Sequence, residues 1–233
     1  MILLDLTLPT PAENLALDEA LLRKCAETGE EFLRFWESPS PFVVLGVSGK
    51  LRREVRAEAC ARDGVPILRR ASGGGTVLQG PGCLAYALVL SLRFRPELAD
   101  LRKSYAAILE RIRDALRVPD LRVRGTSDLA VGEMKVSGSA QKRTASALLH
   151  HGTILYAFDV EAVERWIEEP ERQPEYRRRR PHRAFLGNLA LPPAEIRRRI
   201  AEAWGAVPQA WSAPDLGALV AETYADPAWT ERF

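Results

Sequence analysis

Three stretches of the chain hold residue types that strand or turn formation alone does not select. The first is Arg69-Arg70-Ala71-Ser72-Gly73-Gly74-Gly75-Thr76. Three consecutive glycines cost backbone entropy, so they belong where the chain turns sharply or approaches a ligand closely. Exposed successive N–H groups of such a loop form an anion-binding nest, and the flanking Arg70 offers compensating charge. A plain hairpin turn needs only one or two glycines. No Lys-Ser/Thr follows the last glycine, so the loop is not a P-loop.

The second stretch is Asp128-Leu129-Ala130-Val131, a turn, then Lys135-Val136-Ser137-Gly138-Ser139-Ala140-Gln141. A lysine leading a run of tiny residues is unusual for a strand, where Val or Ile packs better. The small residues allow a ligand to lie against the backbone, and Lys135 supplies a point charge for a phosphate or carbonyl oxygen. The competing reading is a surface lysine on an edge strand. The third stretch is His150-His151-Gly152-Thr153. Neighbouring strand residues face opposite sides of a sheet, so the two histidines do not form a ready metal pair. A structural or substrate-positioning role ranks above zinc. No G-x-S-x-G elbow occurs, which argues against a Ser-His-Asp hydrolase.

Elements to hold these stretches are legible along the chain. Thr10-Pro11-Ala12-Glu13 is a capping box with Pro at the first helical position. The helix that follows puts Leu17, Leu21 and Cys25 on one face and stops at Gly29. Phe32–Trp36 and Phe42–Gly46 read as strands joined through the Ser38–Pro41 turn. Glu54–Asp63 reads as a helix, Val65–Arg70 as a strand, and apolar Leu84–Leu92 as a central strand covered on both faces. Tyr105–Leu116 is an amphipathic helix. Four short strands follow at 121–123, 129–131, 135–140 and 149–155, and helices at 160–167, 195–204 and 216–224. Runs of adjacent strands mixed with helices predict an α+β fold, a central mixed β-sheet flanked by helices.

The 233 residues carry 33 Lys+Arg and 31 Asp+Glu, a net charge of +2 that excludes a strongly basic nucleic-acid binder on bulk charge. The cysteines Cys25, Cys60 and Cys83 are odd in number and unpaired in spacing, which excludes a disulfide framework and a CxxC zinc site. No apolar run approaches a membrane span and no signal peptide is recognised, so a cytoplasmic protein is expected. One cluster stands apart: Arg177–Arg180 with His182 and Arg183. It is either a solvated loop or a site for something anionic.

Together, RRASGGGTV (Arg69–Val77), SDLAVGEMKVSGSAQ (Ser127–Gln141) and HHGTIL (His150–Leu155) resemble the lipoate–protein ligase A family of the biotin/lipoate A/B ligase superfamily. NLALDEALL (Asn14–Leu22), LRFWESPSPFVVLG (Leu33–Gly46) and the Tyr176–Leu189 stretch ending in FLGNL extend the likeness. The resemblance implies a class II synthetase/biotin-ligase-like catalytic domain spanning residues 1–233, without the C-terminal accessory domain of full-length ligases. It implies activation of lipoate with ATP and Mg²⁺ to lipoyl-adenylate. The lipoyl group then passes to a lysine on the acceptor domain of a 2-oxoacid dehydrogenase or glycine-cleavage protein. A separate accessory-domain chain would be a further partner, and neither nucleic acid nor membrane is expected. By motif position Lys135 is the catalytic lysine. Arg70, Ser72, Gly73, Gly74, Gly75 and Thr76 line the acyl and phosphate side. Asp128 falls on the nucleotide and metal motif, though Ser127 stands where the family often has Asn. Ser137, Gly138, Ser139, Ala140, His151, Gly152 and Thr153 form walls of the same pocket.

The nearest rival is an ATP-independent octanoyl- or lipoyltransferase, which needs a nucleophilic cysteine beside the lysine. Relatives of that type place it where this chain has Thr126-Ser127 or Leu148-Leu149. Cys83, in an apolar strand, reads as core. A non-catalytic acyl- or nucleotide-binding homologue is the third reading.

Overall fold

The computed structural model describes residues 1–233. Its strands are β1 (Ile2–Asp5), β2 (Phe32–Trp36), β3 (Phe42–Leu45), β4 (Ile67–Arg69), β5 (Val77–Gln79), β6 (Cys83–Ser91), β7 (Leu121–Arg124), β8 (Asp128–Val131), β9 (Met134–Arg143), β10 (Ala147–Leu155) and β11 (Val207–Pro208). Its helices are α1 (Pro11–Thr28), α2 (Leu51–Glu54), α3 (Ala57–Asp63), α4 (Leu101–Leu116), α5 (Val163–Trp166), α6 (His182–Phe185), α7 (Pro193–Trp204), α8 (Gly217–Leu219) and α9 (Pro227–Thr230). No helix is long and apolar enough to cross a membrane.

Eight strands form one mixed sheet in the order β11-β1-β2-β6-β10-β9-β8-β7, and three more form a small sheet, β4-β3-β5. The α+β expectation therefore holds, with one correction: the strands are divided between two sheets. β2 and β3 do not pair with each other. Both are buried at every residue, so they lack the alternation of a hairpin, and Pro39 and Pro41 occupy the connection instead of a hairpin turn. Glu54–Asp63 is also not one helix. It breaks at Val55, which bridges to Ile167 instead, and the predicted 160–167 helix shrinks to α5.

β6 is buried at all nine positions and shows how the large sheet is covered. Leu84, Tyr86, Leu88 and Leu90 join Ile108, Ile112, Ile196 and Ile200 of α4 and α7 on one face. Ala87 and Val89 meet Leu17, Leu21 and Cys25 of α1 on the other. α1 is fixed as its sequence predicts. The Thr10 side chain accepts from the Glu13 N–H, Glu13 accepts from the Thr10 N–H, and Gly29 closes the helix at φ +82°.

The same alternation separates the two histidines of β10. His150 enters the α4 face between Tyr86 and Tyr105, with ring centroids 6.1 and 5.4 Å away. Gln141 Oε1 accepts from Ser104 and Arg143, which turns its amide nitrogen toward His150 Nδ1 at 3.0 Å. Nδ1 is thus an acceptor, and Nε2–H faces the Tyr86 hydroxyl at 3.4 Å. His150 is a neutral core residue. Burial, reinforced by the neighbouring His151, pushes its pKa down to about 3. The unfolded chain protonates this residue near pH 6.5, so between those values the unfolded state binds more protons. Stability should be unaffected by His150 above pH 6.5 and should fall as pH drops below it, by up to about 1.4 kcal/mol per pH unit. Denaturant titrations at stepped pH should show His150→Gln with a shallower acid slope; equal slopes would disprove the assignment.

Candidate functional site

A cavity of about 410 Å³ opens where the two sheets meet, walled by α1, β2, β5, β6, the β4–β5 glycine loop, β8–β10 and the segment from α5 to α6. The three stretches singled out in the sequence converge there. Arg70, Gly74, Gly75, Thr76, Asp128, Lys135, Ser137, Gly138, Ser139, Ala140, His151, Gly152 and Thr153 line it. Ser72 and Gly73 do not; Ser72 is buried beneath the wall and Gly73 is half-exposed on the loop.

Lys135 reaches the cavity because of an irregularity in its strand. Asp128 pairs with Gly138 and Leu129 with Ser137, but Ala130 pairs with Lys135, leaving Val136 as an extra residue. Val136 points into the core. The extra residue sets Lys135 on the same face as Asp128 and Gly138, where it lines the cavity. The lysine side chain then runs across Gly138, where a Cβ would stand 2.7 Å from Nζ. Gly138 thus makes room for the chain's own lysine, where the sequence had suggested room for a ligand. Nζ sits 2.8 Å from Asp128 Oδ1, and Asp128 Oδ2 accepts the Tyr176 hydroxyl at 2.8 Å. Burial first, then the adjacent carboxylate, pushes the Tyr176 pKa up, so it remains a donor. Both Asp128 oxygens thus have a partner within the fold, Lys135 on one and the Tyr176 hydroxyl on the other. Asp128 positions Lys135.

Arg70 also differs from expectation. Its Nη2 donates to Gly73 O at 2.6 Å and Gly75 O at 2.8 Å, Nε donates to Ser72 Oγ at 3.0 Å, and Nη1 to Val44 O at 3.3 Å. Burial lowers its pKa to about 10, so it stays charged at neutral pH. The guanidinium is the internal staple of the loop, and since its acceptors are neutral it keeps its full charge beside the cavity. Only Gly74 of the three glycines is demanded locally. It has φ +88°, and a Cβ there would stand 2.9 Å from Arg70 Nη2.

Beneath the loop, Ser72 Oγ lies 2.6 Å from His151 Nε2, and His151 Nδ1 lies 3.6 Å from Asp18 Oδ2. The order Asp-His-Ser is that of a hydrolase relay, found without the G-x-S-x-G elbow. Yet Asp18 is paired with Arg34 at 2.6 Å, and Ser72 is buried outside the cavity wall under the Arg70 guanidinium. Burial would raise the Asp18 pKa, but Arg34 and His151 together hold it below the ordinary value. The relay fixes the His151 ring and the loop without offering Ser72 to a substrate.

Sequence reasoning missed several cavity residues. Asp18 and Trp36 come from α1 and β2, and Glu54 takes the Thr76 hydroxyl at 2.6 Å; Arg177 and His182 also line the cavity, from the cluster that the sequence offered as a site for something anionic. Asp18 carried a signal, because an acid on the buried face of a helix requires a partner. The arginine cluster divides. Arg177 is buried with its guanidinium 4.9 Å from the Phe185 ring, and Arg180 donates to the carbonyls of Ala184, Glu133 and Tyr176. Arg178 and Arg179 have φ +50° and +56°, are exposed, and meet no acceptor of the fold. Four buried polar atoms of cavity-lining side chains also lack partners: Trp36 Nε1, Ser137 Oγ, Arg177 Nη2 and His182 Nδ1. Burial, then the charge of Arg177, lowers the His182 pKa to about 4, so the ring is neutral at pH 7. Unpaired buried groups cost free energy, and six others lie elsewhere in the fold, so the lack of a partner is not peculiar to the cavity. The three cysteines are buried and none lines the cavity; Cys83, pushed up to about 12 by burial, sits behind Thr153.

The family model of the lipoyl protein ligase A/B catalytic domain matches residues 10–200. The chain is 35% identical over 160 residues to a putative lipoate-protein ligase A of Aeropyrum pernix, covering 68% of this chain and 58% of that protein. It is 33% identical over 178 residues to the octanoyltransferase LipM of Carboxydothermus hydrogenoformans, covering 67% and 65%. The aligned region thus spans less than two thirds of either relative. The fold superimposes on a bi-partite lipoate protein ligase of Thermoplasma acidophilum, studied with its E2 lipoyl domain, at TM-score 0.83, 22% identity and coverage of 99% and 95%. It superimposes on a lipoate-protein ligase A bound with ATP at TM-score 0.82, 20% identity and coverage of 99% and 98%. Carrying the motifs, the fold and the matched residues alike, the chain belongs to the family of lipoyl protein ligase A/B catalytic domains.

Proposed function

We propose that the protein is a lipoate–protein ligase, activating lipoate with ATP to lipoyl-adenylate and passing the lipoyl group to a lysine of an acceptor domain. The observation that carries this reading is a cavity with a positioned ammonium and no thiol. In the first step a lipoate carboxylate oxygen attacks the α-phosphorus of ATP and pyrophosphate leaves. In the second the acceptor amine attacks the acyl carbonyl, AMP leaves, and the amine gives up a proton. Both steps gather negative charge on oxygen, which a fixed Lys135 ammonium stabilises in a site shielded from water. Neither step requires a protein nucleophile. Arg177 Nη2 and His182 Nδ1 can partner the polar end of the adenylate, while Leu15, Trp36 and Ala85 offer an apolar wall for the acyl chain.

The solved relative bound with ATP supports nucleotide use, and the bi-partite ligase with its lipoyl domain supports an acceptor of that kind. It equally supports reading residues 10–200 as a catalytic domain of that kind. Three unpaired cysteines fit a reducing compartment, the cytoplasm. The LipM likeness keeps octanoyl transfer as a second reading. The decisive assay is mass spectrometry of a purified lipoyl domain after incubation with lipoate, ATP and the protein. A lipoyl mass increment that depends on ATP supports the ligase. An increment from an acyl thioester donor without ATP supports the transferase.

Lys135→Ala should keep the fold and lower acceptor acylation by roughly 10²–10³-fold. Near-normal turnover would remove Lys135 from the site. A variant lacking all three cysteines should lose some stability yet transfer the acyl group from preformed lipoyl-adenylate at close to the normal rate. An acyl adduct on Cys83 in intact-mass spectra would instead favour the transferase. Replacing Arg178 and Arg179 with Gln should raise the acceptor KM at low salt and less so at physiological salt, where screening acts over about 8 Å. An unchanged KM would identify them as solvated surface.

A further inference from the structure

The segment Pro227–Phe233 takes no part in the cavity wall, yet it is bonded to the residue beside the glycine loop. Arg69 is fully buried and immediately precedes Arg70. Its Nε and Nη2 donate to Trp229 O at 3.0 Å and Thr230 O at 2.6 Å. Its Nη1 donates to Gly46 O and Gly49 O, both at 2.8 Å. In return Trp229 Nε1 donates to Arg69 O at 2.8 Å, and the Phe233 ring lies 5.5 Å from the guanidinium carbon.

The Gly46–Gly49 turn is the floor of the glycine loop. Val47 N–H donates to Ser72 O at 2.8 Å, and a Cβ on Gly46 would collide with Gly74 O. One guanidinium therefore gathers the floor turn and the Trp229–Thr230 carbonyls into a single unit. Just upstream, the Tyr224 hydroxyl donates to Glu19 Oε2 at 2.6 Å, one residue from the Asp18 that supports His151. Both supports of the loop, turn and relay, are in this way tied to residues 224–230.

We propose that residues 227–233 are a brace for the glycine loop and that Arg69 is the positioning residue through which they act. This rests on the functional reading above only for its effect on activity. Without the brace, Nε and Nη2 of a buried cation lose their acceptors, and the floor turn must shift to rehydrate them. The loop then samples conformations in which Gly74 and Gly75 no longer face the cavity.

Hydrogen–deuterium exchange on the intact chain and three variants tests this directly. The variants are truncation after Asp226, Arg69→Lys and Trp229→Phe; the last removes one hydrogen bond and keeps an aromatic ring. Amides of residues 46–50 and 72–76 should exchange about tenfold faster in the truncated chain and in Arg69→Lys, and measurably faster in Trp229→Phe. Peptides from β6 and β10 should stay protected. In the acylation assay the truncated chain should show a lower kcat/KM with a near-normal rate in β6 exchange. Unchanged loop exchange in the truncated chain, or equal acceleration throughout β6 and β10, overturns the brace. The exchange result stands whether or not the protein ligates lipoate, so failure of the two readings is distinguishable.

Discussion

Arg34, Arg69 and Arg70 are withdrawn from water, and the cavity exists because of what they hold. A guanidinium cannot shed its proton to escape burial, so each must find acceptors for donors arranged in a fixed plane. Arg34 takes Leu6 O, Asn14 and Asp18, joining β2 to α1. Arg69 takes carbonyls from the Gly46–Gly49 turn and from residues 229 and 230. Arg70 takes carbonyls from the glycine loop and from β3. Arg34 and Arg69 are anchored on strands, and Arg70 directly follows β4. Irregular backbone at the meeting of the two sheets, which cannot satisfy itself by ladder bonding, is satisfied by these side chains.

That solution limits what the same residues can do for a ligand. Arg70 holds the loop through its carbonyls, and Lys135 is the strand-borne cation that shares the cavity wall with Gly74 and Gly75. Lys135 in turn is kept extended by Asp128, itself held by Tyr176 from the arginine segment. Loop and lysine are therefore positioned independently, one from β4 and one from β9, and approach each other only across the cavity.

The sequence carried much of this, and the omissions have physical reasons. The capping box of α1, the fully apolar β6 and the opposite facing of His150 and His151 were legible because they depend on local periodicity and cap chemistry. The Lys135 stretch and the glycine loop stood out because small residues in a strand and serial glycines are locally unfavourable. The role of Arg70 was not legible, because a cation next to glycines looks the same whether its acceptors are a phosphate or the loop's own carbonyls. The separate β4-β3-β5 sheet was hidden because two adjacent apolar strands carry no mark of different partners. Tyr176, Arg177 and His182 lie in a segment with almost no regular structure, where periodicity gives no indication of which arginine is buried and which is exposed.

The chemistry of the cavity follows from the same division. A thiol route needs a low-pKa cysteine at the wall, and the one cysteine close behind it, Cys83, is held protonated by burial one layer back. Moving that thiol to the wall would take more than a change of residue type. Thr153, which does line the cavity, pairs with Gly138 and with Ala85 across β9 and β6, in the middle of the sheet. The position is surrounded by ladder bonds and offers no neighbouring cation except Lys135, which Asp128 already neutralises. A thiol in this chain would need a different element, with its own activating charge. In this chain the elements that could receive it, Thr126-Ser127 ahead of β8 and Leu148-Leu149 in β10, carry a hydroxyl pair and two core leucines. Leu148 and Leu149 are buried in the core, so one of those two positions is committed to packing.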